Sequence, residues 1–130
     1  ARSVNSVVNG VAGMSENIEA ISIVDRLLEH ARVVVFCNGG EEKVYIGSSD
    51  WMRRNLDRRV EVMTPILDEN IKKMLLNVLA LQLADNTKAR KWNSDLSNEY
   101  VRREGVEVVR SQYAIYDYFS NQLKKADAKK

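Results

Sequence analysis

Residues 25–61 read DRLLEHARVVVFCNGGEEKVYIGSSDWMRRNLDRRVE and contain the features that decide the fold. The only histidine, His30, precedes an apolar run, a glycine turn and a second run that ends in Gly47-Ser48-Ser49-Asp50. Four arginines follow, which are Arg53, Arg54, Arg58 and Arg59. An imidazole can exchange a proton or a phosphoryl group near neutral pH, and guanidinium groups neutralise oxyanions through bidentate hydrogen bonds. The stretch therefore has the groups that a phosphate-handling site needs.

Two strands joined by a tight turn are predicted next to His30. The three valines and the phenylalanine within Arg32 to Cys37 are typical of a strand buried on both faces. Asn38-Gly39-Gly40 predicts a hairpin turn, and Lys43 to Gly47 predicts the returning strand. A hairpin would bring His30, at the start of one strand, close to Ser48-Ser49-Asp50 at the end of its neighbour.

The residues after this hairpin predict a helical turn or loop and then a third strand. Trp51 to Asn55 forms the turn or loop, in which Trp51 is expected to pack rather than to bind a ligand. Arg59 to Thr64 alternates between polar and apolar side chains, which predicts a strand with Glu61 on its polar face. Pro65 ends that strand.

Towards the N-terminus, Ser3 to Val8 predicts a strand closed by Asn9-Gly10. Ser15 to Ile18 is a polar turn that could cap a helix. The apolar residues from Ile18 to Leu28 fit both a helical and a strand period, so the secondary structure of this part stays open.

Towards the C-terminus, Asp68 is predicted to begin a helix with one buried face. A polar stretch follows from Asp85 to Asn98. A closing helix is predicted over about Val106 to Leu123, with a buried stripe formed by Val109, Tyr113, Tyr116 and Leu123. We expect one domain over residues 1–123 and a charged, disordered tail over residues 124–130.

Composition limits the class of protein. The chain has 130 residues, 45% hydrophobic and 29% charged, which is enough for one domain with a core. The formal net charge is +2, but the last seven residues have a net charge of +3 and leave about −1 for the rest, so basicity does not indicate a nucleic-acid partner. Cys37 is the only cysteine, which fits a reducing cytoplasm. The absence of a signal-peptide pattern and of an initial methionine suggests a fragment of a larger protein.

The segment LEHARVVVFCNGGEEKVYIGSSDWMRRNLDRRVEV closely resembles the last domain of bacterial polyphosphate kinase, which moves the terminal phosphate of ATP onto a growing polyphosphate chain. Arg2 and GMSENIEAISIVDR before it, and TPILDENIKKMLL, TKAR, LSNEY and VRSQYAIYDY after it, resemble the same family. The resemblance covers nearly the whole chain. It implies an α/β, phospholipase D-like fold in which a mixed β-sheet is flanked by helices and followed by a C-terminal helix.

The order of motifs also resembles the half-site of phospholipase D enzymes. Those enzymes carry His-x-Lys, an aspartate five positions further on, and later Gly-Ser-x-Asn. Here Arg32 stands at the lysine position, Cys37 at the aspartate position and Asp50 at the asparagine position. These departures argue against an active phosphodiesterase, and they are what the polyphosphate kinase branch of the fold shows.

The resemblance also implies roles for individual residues. Arg2 would bind the phosphates of ATP, and His30 would contact the nucleotide's phosphates as an accessory catalytic histidine. Arg32, Arg54 and Arg59 are further candidates for phosphate binding. Arg54 and Arg59 could instead pair with carboxylates, namely Asp57 and Glu61, and the residues alone leave this choice open.

The cofactors and partners follow from the same resemblance. ATP is the substrate, and Mg²⁺ is expected in the parent enzyme with ligands outside this chain; the sequence itself offers no metal site. The histidine that becomes phosphorylated would lie in the preceding catalytic domain. The expected partners are ATP or ADP, inorganic polyphosphate, that preceding domain and further copies of the parent enzyme, but no nucleic acid. The parent enzyme is expected in the cytoplasm, with membrane association left open.

Three hypotheses for the function result. The first is the C-terminal domain of a polyphosphate kinase, inactive as an isolated fragment. The second is a phospholipase D-like phosphodiesterase half-site, which would need a symmetric partner to supply another histidine. The third is a non-catalytic module that binds phosphate or nucleic acid.

Overall fold

A computed structural model describes residues 8–93, 95 and 97–128 of the chain. The chain divides into two compact units, a terminal unit made of Ala1–Leu28 and Val78–Lys130 and a hairpin unit made of Glu29–Asn77. Arg2 and all but the last residue of the strand predicted at Ser3–Val8 lie outside the described residues. None of the described helices has the length and apolar character needed to cross a membrane.

The hairpin unit is built on a three-stranded antiparallel sheet. Its strands are β2 (Val33–Phe36), β3 (Lys43–Gly47) and β4 (Met63–Pro65), with β3 in the centre. The predicted hairpin is confirmed: Val33 lies opposite Ile46, and Phe36 lies opposite Lys43.

The turn between β2 and β3 depends on its glycines. Asn38, Gly39 and Gly40 have φ angles of 43°, 68° and 104°, so three successive residues occupy the left-handed region. Glycine adopts such angles without steric cost, and asparagine tolerates them better than most residues do. The Asn-Gly-Gly sequence therefore closes the hairpin locally.

The prediction that β2 is buried on both faces is wrong. Val33, Val34 and Val35 are only half-buried, and Phe36 is exposed and makes an edge-to-face contact with Tyr45. β2 lies at an edge of the sheet, and even the central strand β3 has a single buried residue, so little of the described hairpin unit covers the two faces. The buried apolar side chain of this sheet is Val44 on β3, which is 1% exposed.

The third strand is shorter than the alternation from Arg59 to Thr64 predicts. Met63 lies opposite Gly47, which is the last residue of β3, so no β3 residue remains to pair with the residues before Met63. Val60 is consequently almost fully exposed instead of packed. Pro65 ends the strand, as predicted.

Two helices flank this sheet in sequence. α1 (Arg53–Arg58) is short, and Trp51 before it is 80% exposed, so the expectation that Trp51 packs against a core is wrong. α2 (Glu69–Leu83) begins after Asp68, as predicted. The Asp68 Oδ1 atom accepts hydrogen bonds from the backbone N–H groups of Asn70 and Ile71, which caps the first turn.

The terminal unit contains a two-stranded antiparallel sheet. Its strands are β1 (Ile21–Ile23) and β5 (Ala89–Lys91). β1 settles the open choice between Ile18 and Leu28 in favour of a short strand, and the polar turn at Ser15 leads into no helix. β5 lies within the stretch from Asp85 to Asn98 for which no strand was predicted.

The closing helix, α3 (Ser111–Asp127), starts later than predicted, and its apolar stripe is not buried. Tyr113, Tyr116 and Leu123 are 47%, 71% and 67% exposed. Hydrogen bonds to Asp85 and Leu27 hold the beginning of the helix through Ser111 and Gln112, whereas the last turns are exposed. The helix continues through the first residues of the predicted tail, up to Asp127.

Candidate functional site

The site lies in the hairpin unit, where β2 begins and β3 ends. His30 and Arg32 precede β2, and Ser48 follows β3. Because the two strands are antiparallel, the start of one lies beside the end of the other, and the backbone N–H of Gly47 donates to the carbonyl oxygen of Arg32 at 3.1 Å. The predicted proximity of the histidine segment and the Gly-Ser-Ser-Asp segment is therefore present.

Arg32 joins the two segments through Asp50. Its Nε and Nη2 atoms both donate to Asp50 Oδ1, at 3.0 and 2.9 Å. The hydrogen bond from Arg32 lowers the pKa of the Asp50 carboxyl, with further contributions from the charges of Arg32, His30 and Arg54 that outweigh partial burial. Both side chains are partly shielded from water, 21% and 38% exposed. The ion pair holds the guanidinium in one orientation.

The same guanidinium contacts His30. Its Nη2 and Nη1 atoms lie 2.6 and 3.0 Å from the two ring nitrogens, Nε2 and Nδ1, and Nη1 also donates to the His30 carbonyl oxygen at 3.1 Å. A neutral imidazole has one nitrogen with a free lone pair, so it accepts one such bond at a time. The imidazole side chain is otherwise exposed and accessible to a ligand.

A second polar group forms around Glu61. Ser48 Oγ donates to Glu61 Oε2, and Asn55 Nδ2 donates to Glu61 Oε1, both at 2.7 Å. The hydrogen bond from Ser48, followed by that from Asn55, lowers the pKa of the Glu61 carboxyl. Asn55 is 3% exposed, and its Oδ1 atom has no hydrogen-bond partner in the described part of the chain. Sequence reasoning gave none of these three residues this role; the Gly-Ser-Ser-Asp motif was the one available signal.

The ion pairs of the arginine cluster differ from the two arginine–carboxylate pairs considered above. Asp57 pairs with Arg53, at 3.2 Å and on the surface. Neither Arg54 nor Arg59 forms an ion pair within the described residues, and both side chains are exposed. Arg54 and Arg59 therefore form an ion pair with neither Asp57 nor Glu61 in the described residues, although the charge of Arg59 helps to lower the Glu61 pKa, and their phosphate contacts stay a prediction.

A cavity of about 490 Å³ adjoins these groups, which lies in the size range of small-ligand sites. It is lined by His30, Ala31, Arg32, Val33, Ile46, Gly47, Ser48, Val62, Thr64 and Leu75. Gly47 is required in this wall, because a Cβ atom there would overlap the Met63 sulfur and lie 2.6 Å from the Val62 carbonyl oxygen. The cavity combines one polar corner with mostly apolar walls.

The described residues do not suit a metal ion. No group of three or more His, Cys, Asp or Glu side chains lies together in the ranges that the structure describes. Two carboxylates of the site are already bound, Asp50 by Arg32 and Glu61 by Ser48 and Asn55. These side chains therefore do not form a magnesium site.

Comparison with known proteins identifies the family. The sequence profile of the family "Polyphosphate kinase C-terminal domain 2" matches residues 1–112. The chain is 52% identical over 120 residues to polyphosphate kinase of Vibrio cholerae and 49% identical over the same length to that of Escherichia coli K12. Each alignment covers 92% of this chain and 17% of the relative.

A solved structure agrees with these matches. The crystal structure of polyphosphate kinase from Porphyromonas gingivalis superposes with a TM-score of 0.83 at 41% identity, over 85% of this chain and 17% of that one. This match confirms the predicted α/β class with flanking helices and a C-terminal helix, and the phospholipase D-like assignment is consistent with the family. In the described residues, the strands form two small antiparallel sheets in place of the one mixed sheet that was predicted. The chain belongs to the polyphosphate kinase family and corresponds to its C-terminal domain 2.

Proposed function

We propose that this domain forms one wall of the active site of an enzyme that reversibly transfers the terminal phosphate of ATP to polyphosphate. The observation that carries the proposal is the chain of contacts from Asp50 through Arg32 to His30, which presents a guanidinium and an imidazole together at a cavity. The relatives that share 52% and 49% sequence identity with the chain are named polyphosphate kinase, which supports ATP and polyphosphate as the substrates.

The reaction has two phosphoryl transfers. In the first, a histidine nitrogen of the preceding domain bonds to the γ-phosphorus of ATP, while the bond to the ADP oxygen breaks. In the second, the terminal oxygen of polyphosphate bonds to that phosphorus, and the N–P bond breaks and returns its electron pair to the imidazole. Each transfer depends on positioning and on neutralising charge at the phosphoryl oxygens.

His30 and Arg32 meet those needs from this side. The exposed imidazole takes up or returns a proton at a phosphate oxygen, and Arg32, fixed by Asp50, places positive charge beside it. Arg2 binds the ATP phosphates in this proposal, and Arg54 and Arg59 supply further positive charge for the polyphosphate chain. Mg²⁺ would neutralise phosphate charge when bound, with ligands outside this chain.

The full-length polypeptide that carries this domain provides the test. His30→Ala should lower the rate of polyphosphate synthesis from ATP by about 100-fold or more, the usual contribution of a proton-transferring side chain. Arg53→Ala is the matched control, since Arg53 is exposed and its side chain forms a surface ion pair with Asp57, and it should leave the rate unchanged. Circular dichroism on the same preparations checks the fold. A His30→Ala protein with wild-type turnover would show that His30 has no part in the reaction.

A further inference from the structure

The direction of the hydrogen bond between Ser48 and Glu61 limits what Ser48 can bind. Glu61 is ionised, because the hydrogen bonds from Ser48 and Asn55 lower its pKa, and a carboxylate only accepts hydrogen bonds. The proton in the 2.7 Å contact therefore belongs to the Ser48 hydroxyl. A hydroxyl has one proton and two lone pairs, so Ser48 presents only lone pairs to a further partner.

Glu61 is held in this arrangement from its other side. Its Oε1 atom accepts from the Asn55 amide at 2.7 Å, and Asn55 is 3% exposed. If Ser48 turned its proton towards a ligand, Glu61 Oε2 would lose a donor and its negative charge would face that ligand. This cost disfavours a phosphate oxygen at Ser48, because a phosphate oxygen would need the Ser48 proton. A ligand group that donates a hydrogen bond to Ser48 leaves the bond to Glu61 intact and is therefore favoured.

Ser48 is exposed and shares its cavity with His30 and Arg32. At one corner of the cavity, those two side chains provide the hydrogen-bond donors and the positive charge that a phosphate needs. Much of the remaining wall is apolar and includes Ile46, Val62 and Leu75, which suits the carbon faces of a sugar better than a polyanion. The cavity thus combines a phosphate-binding corner with an acceptor and apolar walls.

We propose that Ser48, oriented by Glu61, accepts a hydrogen bond from a ribose hydroxyl of the bound nucleotide, and that the cavity beside His30 thereby selects the nucleotide over polyphosphate. This inference rests on the proposed function, which supplies the two substrates. Ionised polyphosphate offers acceptors but no donor for Ser48, whereas ribose carries two hydroxyl donors and lies next to the α-phosphate. Glu61 is a positioning residue in this arrangement.

The experiment compares ATP with 2′-deoxy-ATP and 3′-deoxy-ATP in the full-length polypeptide. For the wild-type protein, we expect the apparent KM of one of the two analogues to be about tenfold higher than that of ATP, which is the usual effect of losing one well-placed hydrogen bond. Ser48→Ala should raise the KM for ATP by a similar factor and should remove the difference between ATP and that analogue. The KM for polyphosphate in the reverse reaction should not change.

Ser49→Ala is the matched control. Ser49 is the adjacent serine, but its hydroxyl donates to the Asp50 carbonyl oxygen at 3.0 Å, and Ser49 does not line the cavity. This variant should keep the wild-type discrimination between ATP and its deoxy analogue. The same substitution at two neighbouring serines thus separates the contact from a general effect on the loop.

Three results would overturn the inference: equal KM values for ATP and both analogues in the wild-type protein, an undiminished analogue penalty in Ser48→Ala, or an equal rise in the KM for polyphosphate. Synthesis of polyphosphate by the wild-type protein tests the proposed function separately. If that synthesis is absent, calorimetric binding of ATP and the analogues to the same variants decides the inference by the same comparison.

Discussion

At the scale of single residues, Arg32 connects the parts of the site. Its guanidinium contacts both the Asp50 carboxylate and the His30 imidazole. The backbone carbonyl oxygen of Arg32 accepts a hydrogen bond from the N–H of Gly47 at the end of β3. The planar fork of arginine suits several partners in fixed directions, which the flexible ammonium group of lysine does not. Arginine at the position where phospholipase D enzymes have lysine therefore changes how this histidine is held.

Asp50→Asn should weaken that arrangement without unfolding the protein. The amide keeps an acceptor for Arg32 but loses the charge, so Arg32 is held less firmly and His30 with it. We expect polyphosphate synthesis by the full-length polypeptide to fall about tenfold, equivalent to roughly 1.4 kcal/mol. Asp57→Asn, the same substitution in an exposed ion pair, should leave the rate unchanged. Equal activities of the two variants would show that Asp50 does not position the site.

The site residues illustrate what single-sequence reasoning reaches. His30, Arg32 and the Gly-Ser-Ser-Asp segment could be placed together because a short hairpin joins them. The partners of Glu61 could not be predicted, since Ser48 and Asn55 lie on separate elements and meet Glu61 only in the folded unit. The nearby Arg59 seemed the simpler partner in sequence, but surface ion pairs contribute little and do not fix a side chain.

At the scale of elements, two signals that act within a few residues were confirmed, whereas a distant strand pairing was missed. The turn from Asn38 to Gly40 and the cap at Asp68 act within a few residues, and both were predicted. β5 was missed because Ala89-Arg90-Lys91 lacks β-branched and aromatic side chains and pairs with β1, which is far away in the sequence. The prediction that the apolar stripe of α3 is buried was wrong, because the stripe itself does not show whether another element covers it.

β5 and α3 depend on one buried carboxylate. Asp85 is 0% exposed; its Oδ1 atom accepts from the backbone N–H groups of Thr87, Lys88 and Ala89, at 2.9, 2.7 and 3.0 Å. Its Oδ2 atom accepts from the N–H of Ser111, at 2.8 Å, where α3 begins. Burial raises the pKa of Asp85, but the hydrogen bonds outweigh burial and lower the pKa to about 2.

Asp85→Asn should destabilise this 130-residue polypeptide by about 3 kcal/mol, because an amide turns a donor towards one of these N–H groups. The pH dependence follows from the lowered pKa. The stabilisation by Asp85 is complete above the ordinary aspartate pKa of about 4 and is lost as pH falls towards about 2, so the wild type should lose about 2 kcal/mol more than Asp85→Asn over this range.

Urea unfolding at several pH values measures both effects. Asp117→Asn is the matched control, since Asp117 is exposed on α3, and it should follow the wild-type curve. A parallel loss of stability in the wild type and in Asp85→Asn below pH 4 would contradict the assigned role of Asp85.

At the scale of the whole molecule, many large apolar side chains remain exposed. Within the described residues, the buried apolar residues are Val44, Ala89 and Val101, whereas Trp51 is 80% and Leu67 is 85% exposed. Free-standing domains rarely expose so much large apolar surface. The chain spans 17% of the length of its curated relatives, and this exposure supports the proposal that it works as part of a longer enzyme.

The isolated 130-residue polypeptide should therefore make no polyphosphate from ATP. Its only histidine is held by Arg32, and the family resemblance assigns the phosphorylated histidine to the preceding domain, so one wall of the site cannot complete either transfer. Incubation with γ-labelled ATP should give neither labelled protein nor acid-insoluble polymer, whereas the full-length polypeptide should give both. Acid-labile label on the isolated chain that disappears in His30→Ala would instead show that His30 itself accepts the phosphoryl group, because a histidine N–P bond hydrolyses in acid.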